Sequence, residues 1–351
     1  MTFPRAMPVT TIRAAPVTQV RPALSQAPAP GVGGDHMDVL RAVVAQGGVL
    51  ALTGAGMSTD SGIPDYRGPD GLRRVTPMTI EEFRASSRGR QRYWSRAYVG
   101  WSRFRAAQPN DAHRAVATLE HAGVLDSVIT QNVDGLHQES GSRRVRELHG
   151  TLARVVCLAC DAQFDRDRLQ AALTRLNPGF TEQSRAAGTR RVAVRPDGDV
   201  DIAPSLVRQF RTASCEDCGS DLLKPDVVFF GESVPRPLVA ECFDAVESCR
   251  ALLVLGSSLA VMSGLRFVRR AATLGRPVVI VTRGPSRGDD LSTVRIDAPL
   301  GEVLPWLART VAALGPGPSA ASASASEPGQ TRRRTAVTLP STVASSPAIG
   351  S

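Results

Sequence analysis

VLALTGAGMSTDSGIPDYRG, residues 49–68, begins with five apolar or β-branched residues and then breaks into Gly54-Ala55-Gly56. Residues 49–53 have the length and two-sided hydrophobicity of a strand buried in a parallel sheet. A glycine turn at the end of such a strand lets the backbone approach a pyrophosphate. A redox dinucleotide fingerprint would place a third glycine at 59, where Thr59 stands, and an acidic residue ending the next strand, which the sequence does not offer. An ordinary dehydrogenase is therefore disfavoured. Asp65, Tyr66 and Arg67 follow a Gly-Ile-Pro turn and set a carboxylate and a guanidinium beside the expected phosphates. A plain surface turn would look the same.

Runs of the same kind recur at 127–130, 226–230, 251–256 and 277–282, with helical patterns at 109–122 and 237–248 between them. Buried parallel strands joined by crossover helices follow, so the expected fold is α/β with a Rossmann-like parallel sheet. Residues 151–224 break this rhythm with four of the six cysteines and a polar, Arg-rich middle. We read them as an inserted smaller zinc-binding module within a catalytic domain made of 36–150 and 225–313. The tail at 314–351 is Pro, Gly, Ser and Ala with few large apolar residues, too little to offset its ordering entropy, and the Pro-rich segment 1–35 is alike. Both are expected to be disordered.

The net charge is +9, with Lys224 the only lysine among the cations. Residues 1–34 and 314–351 carry five of these charges, through Arg5, Arg13, Arg21 and Arg332 to Arg334 against Glu327, which leaves four on the body. That is a weak footprint for nucleic acid, and solvated arginines are the simpler reading. No run reaches the length of a membrane helix and no secretory signal is evident, so a cytoplasmic monomer that binds neither membrane nor nucleic acid is expected.

Four further motifs carry chemistry. TQNVDGLH, 130–137, follows a strand and puts Gln131, Asn132 and Asp134 where open parallel sheets bind ligands. ELHG, 147–150, contains His149, which suits general-base work near neutral pH and equally suits a structural role. LGSSLAV, 255–261, is a second amide-rich turn, with Gly256, Ser257 and Ser258 opening a helix. Cys157-Leu-Ala-Cys160 and Cys215-Glu-Asp-Cys218 are two CxxC knuckles that match a closed four-thiolate zinc site, although the 54 residues between them also leave room for redox dithiols. Cys242 and Cys249 are simplest as core residues.

The ordered series GAGMSTDSGIPDYRG, TQNVDGLH, HG, two CxxC pairs, KPDVVFFGE and GSSL resembles the sirtuins, NAD-dependent protein-lysine deacylases, over about residues 38 to 310. RQRYWSRAYVGW, PDGDV and the long cysteine spacer look most like class II. The resemblance implies that NAD is consumed and one structural zinc is held. Gly54, Ala55 and Gly56 would hold the phosphates, with Asp65 and Arg67 on the cofactor loop. Ile63, Asn132 and Asp134 would line the nicotinamide pocket, and Gln131 would meet the ribose. Gly256, Ser257 and Ser258 would bind the adenosine half. The acyl-lysine oxygen displaces nicotinamide, and His149 takes a proton from the ribose hydroxyls. Val227, Phe229 and Gly231 would pair with the substrate peptide as an added strand.

Two features stand apart. Many sirtuins hold the adenosine ribose with an Asn where Thr282 stands here. Tyr93 and Arg96 have the spacing that desuccinylases use for an acidic acyl group, although packing and solvation explain it as well. Two other functions share these residues: a protein ADP-ribosyltransferase, and a zinc-knuckle nucleic-acid-binding module with a nucleotide-sensing domain.

Overall fold

Strand β1 (Val49–Thr53) is buried at every position, and the sheet built around it sets the architecture. The computed structural model describes residues 34–68, 70–73, 76–187 and 195–313. Apart from a few residues next to the body, the expected tails at 1–35 and 314–351 lie outside the described residues. The other strands are β2 (Leu125–Thr130), β3 (Val145–Glu147), β4 (Gly150–Cys157), β5 (Gln163–Asp165), β6 (Leu223–Val227), β7 (Ala251–Leu255), β8 (Val278–Val281) and β9 (Val294–Ile296). The helices are α1 (Gly34–Ala45), α2 (Ile80–Arg84), α3 (Ser87–Arg105), α4 (Asp111–His121), α5 (Leu136–Glu139), α6 (Arg166–Leu176), α7 (Phe180–Ala186), α8 (Pro204–Gln209), α9 (Arg236–Ser248), α10 (Met262–Thr273) and α11 (Leu300–Ala312). No described helix is long and apolar enough to cross a membrane.

Six strands form one sheet in the order β3-β2-β1-β7-β8-β9, every neighbouring pair parallel. Its direction of winding reverses between β1 and β7, so a ligand crevice is expected beyond the carboxyl ends of these two strands. Helices α1, α4 and α11 cover one face through Leu40, Val116 and Leu304. Helices α9 and α10 cover the other through Val246, Phe267 and the buried Cys242, with Cys249 in the same cluster. Burial on both faces is why β1, β7 and β8 carry uninterrupted apolar runs.

The second sheet, β5-β4-β6, is antiparallel. It corrects the expectation of a parallel strand at 226–230. Strand β6 ends at Val227 and belongs to the small sheet, while Phe230 leaves it to bridge Thr79. The run is apolar because Phe229 packs on Phe83 at 5.1 Å and on Tyr93 at 5.3 Å. Its hydrophobicity reports burial and not membership of the large sheet.

Helix α3 fastens the small sheet to the body. Trp94 Nε1 donates to the Leu223 carbonyl at 2.8 Å, Trp101 Nε1 to Asp167 at 2.6 Å, and Arg90 pairs with Asp221 at 2.7 Å. The buried Arg166 guanidinium stacks on Trp94 at 5.2 Å and Trp101 at 4.8 Å, a cation–π arrangement whose value rises as water is excluded. Burial pulls its pKa down to about 10.

Candidate active site

A cavity of about 1210 Å³ opens where the sheet reverses. The turns after β1 and β7 meet at its floor. Gly54 N donates to Leu255 O at 3.0 Å and Gly56 N to Gly256 O at 2.9 Å. A Cβ on Gly56 would stand 2.9 Å from Gly256 O, and one on Gly256, whose φ is +60°, would stand 2.6 Å from Met57 N. The glycines therefore permit two backbone turns to touch, and the Gly54 and Gly56 amides are used within the protein. The sequence leads one to expect these amides to approach a ligand; their partners are the carbonyls of Leu255 at the end of β7 and of Gly256 in the turn after it.

The segment after β2 is locked onto this floor. Gln131 Nε2 donates to Ser257 Oγ at 2.9 Å, and Asn132 Nδ2 to Gly54 O and Ser58 Oγ, both at 3.1 Å. Ser58 in turn donates to Asp134 Oδ2 at 2.6 Å. Burial raises the Asp134 pKa, and the Ser58 bond opposes that shift. Beneath lies a neutral pair, His113 and His137, with ring centroids 5.0 Å apart. Burial pushes their pKa values down to about 4 and about 3. His137 Nε2 meets Thr53 Oγ1 at 3.0 Å, which donates to Thr130 Oγ1 at 2.9 Å, so the ends of β1 and β2 are braced together. Asn110 caps α4 and also donates to Met57 O and Ser61 Oγ, which ties down the turn after β1.

His149, just before β4, lies between the two sheets and lines the cavity. Its Nδ1 is 2.9 Å from Gln131 O and its Nε2 is 2.8 Å from Ser263 Oγ. Burial lowers its pKa; the Gln131 carbonyl opposes and the Arg266 charge adds to the effect. The ring is thus neutral near pH 7, as a proton acceptor must be.

All the expected nucleotide and peptide residues line this one cavity: Gly54, Ala55, Gly56, Ile63, Asp65, Arg67, Gln131, Asn132, Asp134, Gly256, Ser257, Ser258 and Thr282, with Val227, Phe229 and Gly231. Asp65 accepts from Gly68 N at 2.7 Å and Arg67 donates to Gly71 O at 3.1 Å, so both also shape their own loop. Tyr93 lines the cavity, but Arg96 turns away to Asp199 at 3.1 Å and Asp201 at 2.8 Å. The carboxyl group that does line the cavity there is Asp197. Sequence reasoning missed Asp197, Ser263 and the buried Lys224, which bonds Glu232 at 3.1 Å and steadies the turn carrying Phe229. Each depends on a long-range or loop placement that no local pattern announces.

The four expected metal ligands, Cys157, Cys160, Cys215 and Cys218, converge at the end of the small sheet. Their sulfurs all lie within 4.8 Å of one another, with Cys157 to Cys218 at 3.6 Å and Cys160 to Cys215 at 3.8 Å. A tetrahedron of zinc–sulfur bonds has sulfurs about 3.8 Å apart, so the cluster fits one zinc with no open position. The four cysteines are positioned to hold a structural ion.

A doubly wound sheet, a large cavity at its switch point and a four-thiol cluster that fits a structural zinc together define the class: a nucleotide-binding α/β protein. A family model described as Sir2 family matches residues 54–263. The chain is 53% identical over 272 residues to NAD-dependent protein deacetylase 1 of Streptomyces coelicolor, covering 77% of this chain and 87% of that protein. It is 49% identical over 277 residues to NAD-dependent protein deacetylase 1 of Mycobacterium avium, covering 79% and 96%. It also matches a solved Sir2 structure with a p53 peptide and NAD+, at 30% identity and a TM-score of 0.60, over 79% of this chain and 98% of that one. The chain belongs to the Sir2 family.

Proposed function

We propose that the cavity is the active site of an NAD-dependent protein deacylase in which His149 is the general base. NAD is a substrate: the acyl oxygen of an acylated lysine displaces nicotinamide, and the acyl group ends on ADP-ribose. In this reading Gly54 to Gly56 and Gly256 to Ser258 shape the floor for pyrophosphate and adenosine, with Asp65, Arg67 and Thr282 at its edge. Ile63, Asn132 and Asp134 enclose nicotinamide, Gln131 meets the ribose, and Val227, Phe229 and Gly231 present a backbone edge to the peptide. The observation that carries this is that a neutral His149, with one nitrogen anchored on Gln131 O, lines the same cavity as both glycine turns.

The acyl group is best read as uncharged. Arg96 is committed to Asp199 and Asp201, and an acidic acyl group would meet Asp197 instead. We read 36–150 with 225–313 as the catalytic unit and 151–224 as the zinc module. A monomer accords with the few large apolar side chains exposed among the described residues: Val39, Leu72, Leu176 and Leu274 are far apart in sequence, and the adjacent Val261 and Met262 line the cavity. A cytoplasmic location accords with six cysteines of which four cluster as metal ligands and two, Cys242 and Cys249, are buried, none of them joined in a disulfide. Little affinity for nucleic acid is expected where arginines such as Arg41, Arg114, Arg154 and Arg270 are paired with carboxylates.

The test is incubation with NAD and peptides bearing acetyl, succinyl or glutaryl lysine. Nicotinamide release that requires the peptide, with acyl-ADP-ribose as product and acetyl preferred, supports the reading. ADP-ribose attached to protein, with no deacylated peptide, contradicts it.

A further inference from the structure

His149 is held from two sides, and its partners decide which nitrogen carries the proton. The Gln131 carbonyl only accepts, so Nδ1, 2.9 Å away, bears the hydrogen and donates. Nε2 then presents a lone pair, and the group 2.8 Å from it is the Ser263 hydroxyl, which donates. Ser263 is only 9% exposed and sits in the first turn of α10, where its carbonyl accepts from Arg266 Nε at 3.2 Å. A Cβ on the next residue, Gly264, would stand 2.6 Å from Gln131 Oε1. That glycine lets the start of α10 lie against the Gln131 and His149 pair.

We propose that Ser263 is a positioning residue for His149: its hydroxyl donates to Nε2, supports the Nδ1–H tautomer that Gln131 O selects, and keeps the place that a ribose hydroxyl of NAD takes in turnover. The inference rests on the reading of His149 as the base. The serine hydroxyl rotates about its own Cα–Cβ bond, so it can release the lone pair while the ring stays still. In the proton transfer the ribose O–H bond breaks, an Nε2–H bond forms, and the imidazolium keeps its Nδ1–H bond to Gln131 O.

A hydrogen bond accepted by Nε2 stabilises only the neutral ring, so Ser263 acts in the same direction as burial and Arg266. The positive end of α10 adds to this. Other charged groups that line the cavity include Asp134 after β2, Glu232 between β6 and α9, Arg236 at the start of α9, and Asp65, Arg67 and Asp197. They are common to wild type and variant, so a difference between the two isolates Ser263.

Ser263→Ala removes the donor. The acid limb of kcat/KM for NAD, read with saturating acetyl-lysine peptide, should then move up by about half to one pH unit. The Kd for NAD should stay within about twofold. Long-range proton–nitrogen spectra should show the Nδ1–H tautomer kept by Gln131 O while the Nε2 resonance shifts as it loses its donor. Ser263→Thr keeps a hydroxyl and should return the limb to its wild-type position. If Ser263→Ala does not fold, Ser263→Cys, a weak donor of similar size, should give the same shift in smaller measure. An unmoved limb beside an inactive His149→Ala overturns the positioning role and leaves the base in place. Activity that survives His149→Ala overturns the base reading itself.

Discussion

The two sheets are built by different means. The large sheet buries whole apolar strands between two helical layers, and its ligand site follows from topology, because the turns after β1 and β7 meet where the winding reverses. The small sheet has only three strands, with half-buried and exposed positions in β4 and β5, and it depends on α3, on Arg166 between two tryptophans, and on four clustered sulfurs. Hydrophobic burial suffices for the first, while the second needs specific ties. The candidate site lies between them, and both bonding partners of the His149 ring, Gln131 after β2 and Ser263 in α10, come from the large-sheet side.

This contrast is broken most directly at the metal. Cys157→Ala should lose about one zinc per chain and the order of residues 151–224, because the apparent free energy of a structural zinc is on the order of 10 kcal/mol. Metal analysis with circular dichroism checks it. A folded, metal-free and fully active variant would show that the protein ties suffice.

In the large sheet the sensitive point is backbone contact. Gly256→Ala adds a Cβ 2.6 Å from Met57 N at a φ of +60°. It should cost roughly 2 to 4 kcal/mol of stability and weaken NAD binding through the displaced turn. Urea unfolding and calorimetric titration read the two effects, and an unchanged midpoint would mean that the turns do not press on each other.

The histidine pair offers a smaller, pH-dependent effect. His113 and His137 have pKa values near 4 and 3 in the fold against an ordinary 6.5. As pH falls below 6.5 the unfolded chain takes up protons that the native state refuses, so stability is lost from about pH 6.5 towards 4. His137→Gln, which can still bond Thr53, should flatten this slope by up to roughly 1 kcal/mol per pH unit. Parallel slopes in the two proteins would contradict the buried neutral pair.

The least effect is expected at Arg96, whose bonds lie within the small-sheet region. Arg96→Ala should leave the ratio of kcat/KM for succinyl and acetyl peptides within about twofold, whatever it does to stability. A selective loss of succinyl turnover would restore the acidic-acyl reading.

The same contrast explains what could be read from the sequence. The strands at 49–53, 251–255 and 278–281 announce themselves because both faces are apolar, and the loops that follow them carry the glycines that topology brings together. The short β3 and β9 have only three residues each and too little pattern to be seen. The run at 226–230 misleads because an aromatic cluster makes the same demand for apolar residues as a strand does. Spacing alone put four cysteines together across 54 residues, since thiolates in paired knuckles have few other uses. Ser263, more than a hundred residues from His149 and with a hydroxyl like any other, gave no such signal.

The central claim is that His149 acts on NAD chemically and contributes little to holding it. Paired measurements on His149→Ala test it: NAD affinity by calorimetry, and nicotinamide release in the presence of acetyl-lysine peptide. We expect a Kd within a few-fold of wild type and turnover reduced by about 100-fold or more. Deacylation at the wild-type rate, or NAD binding lost together with activity, would contradict the account.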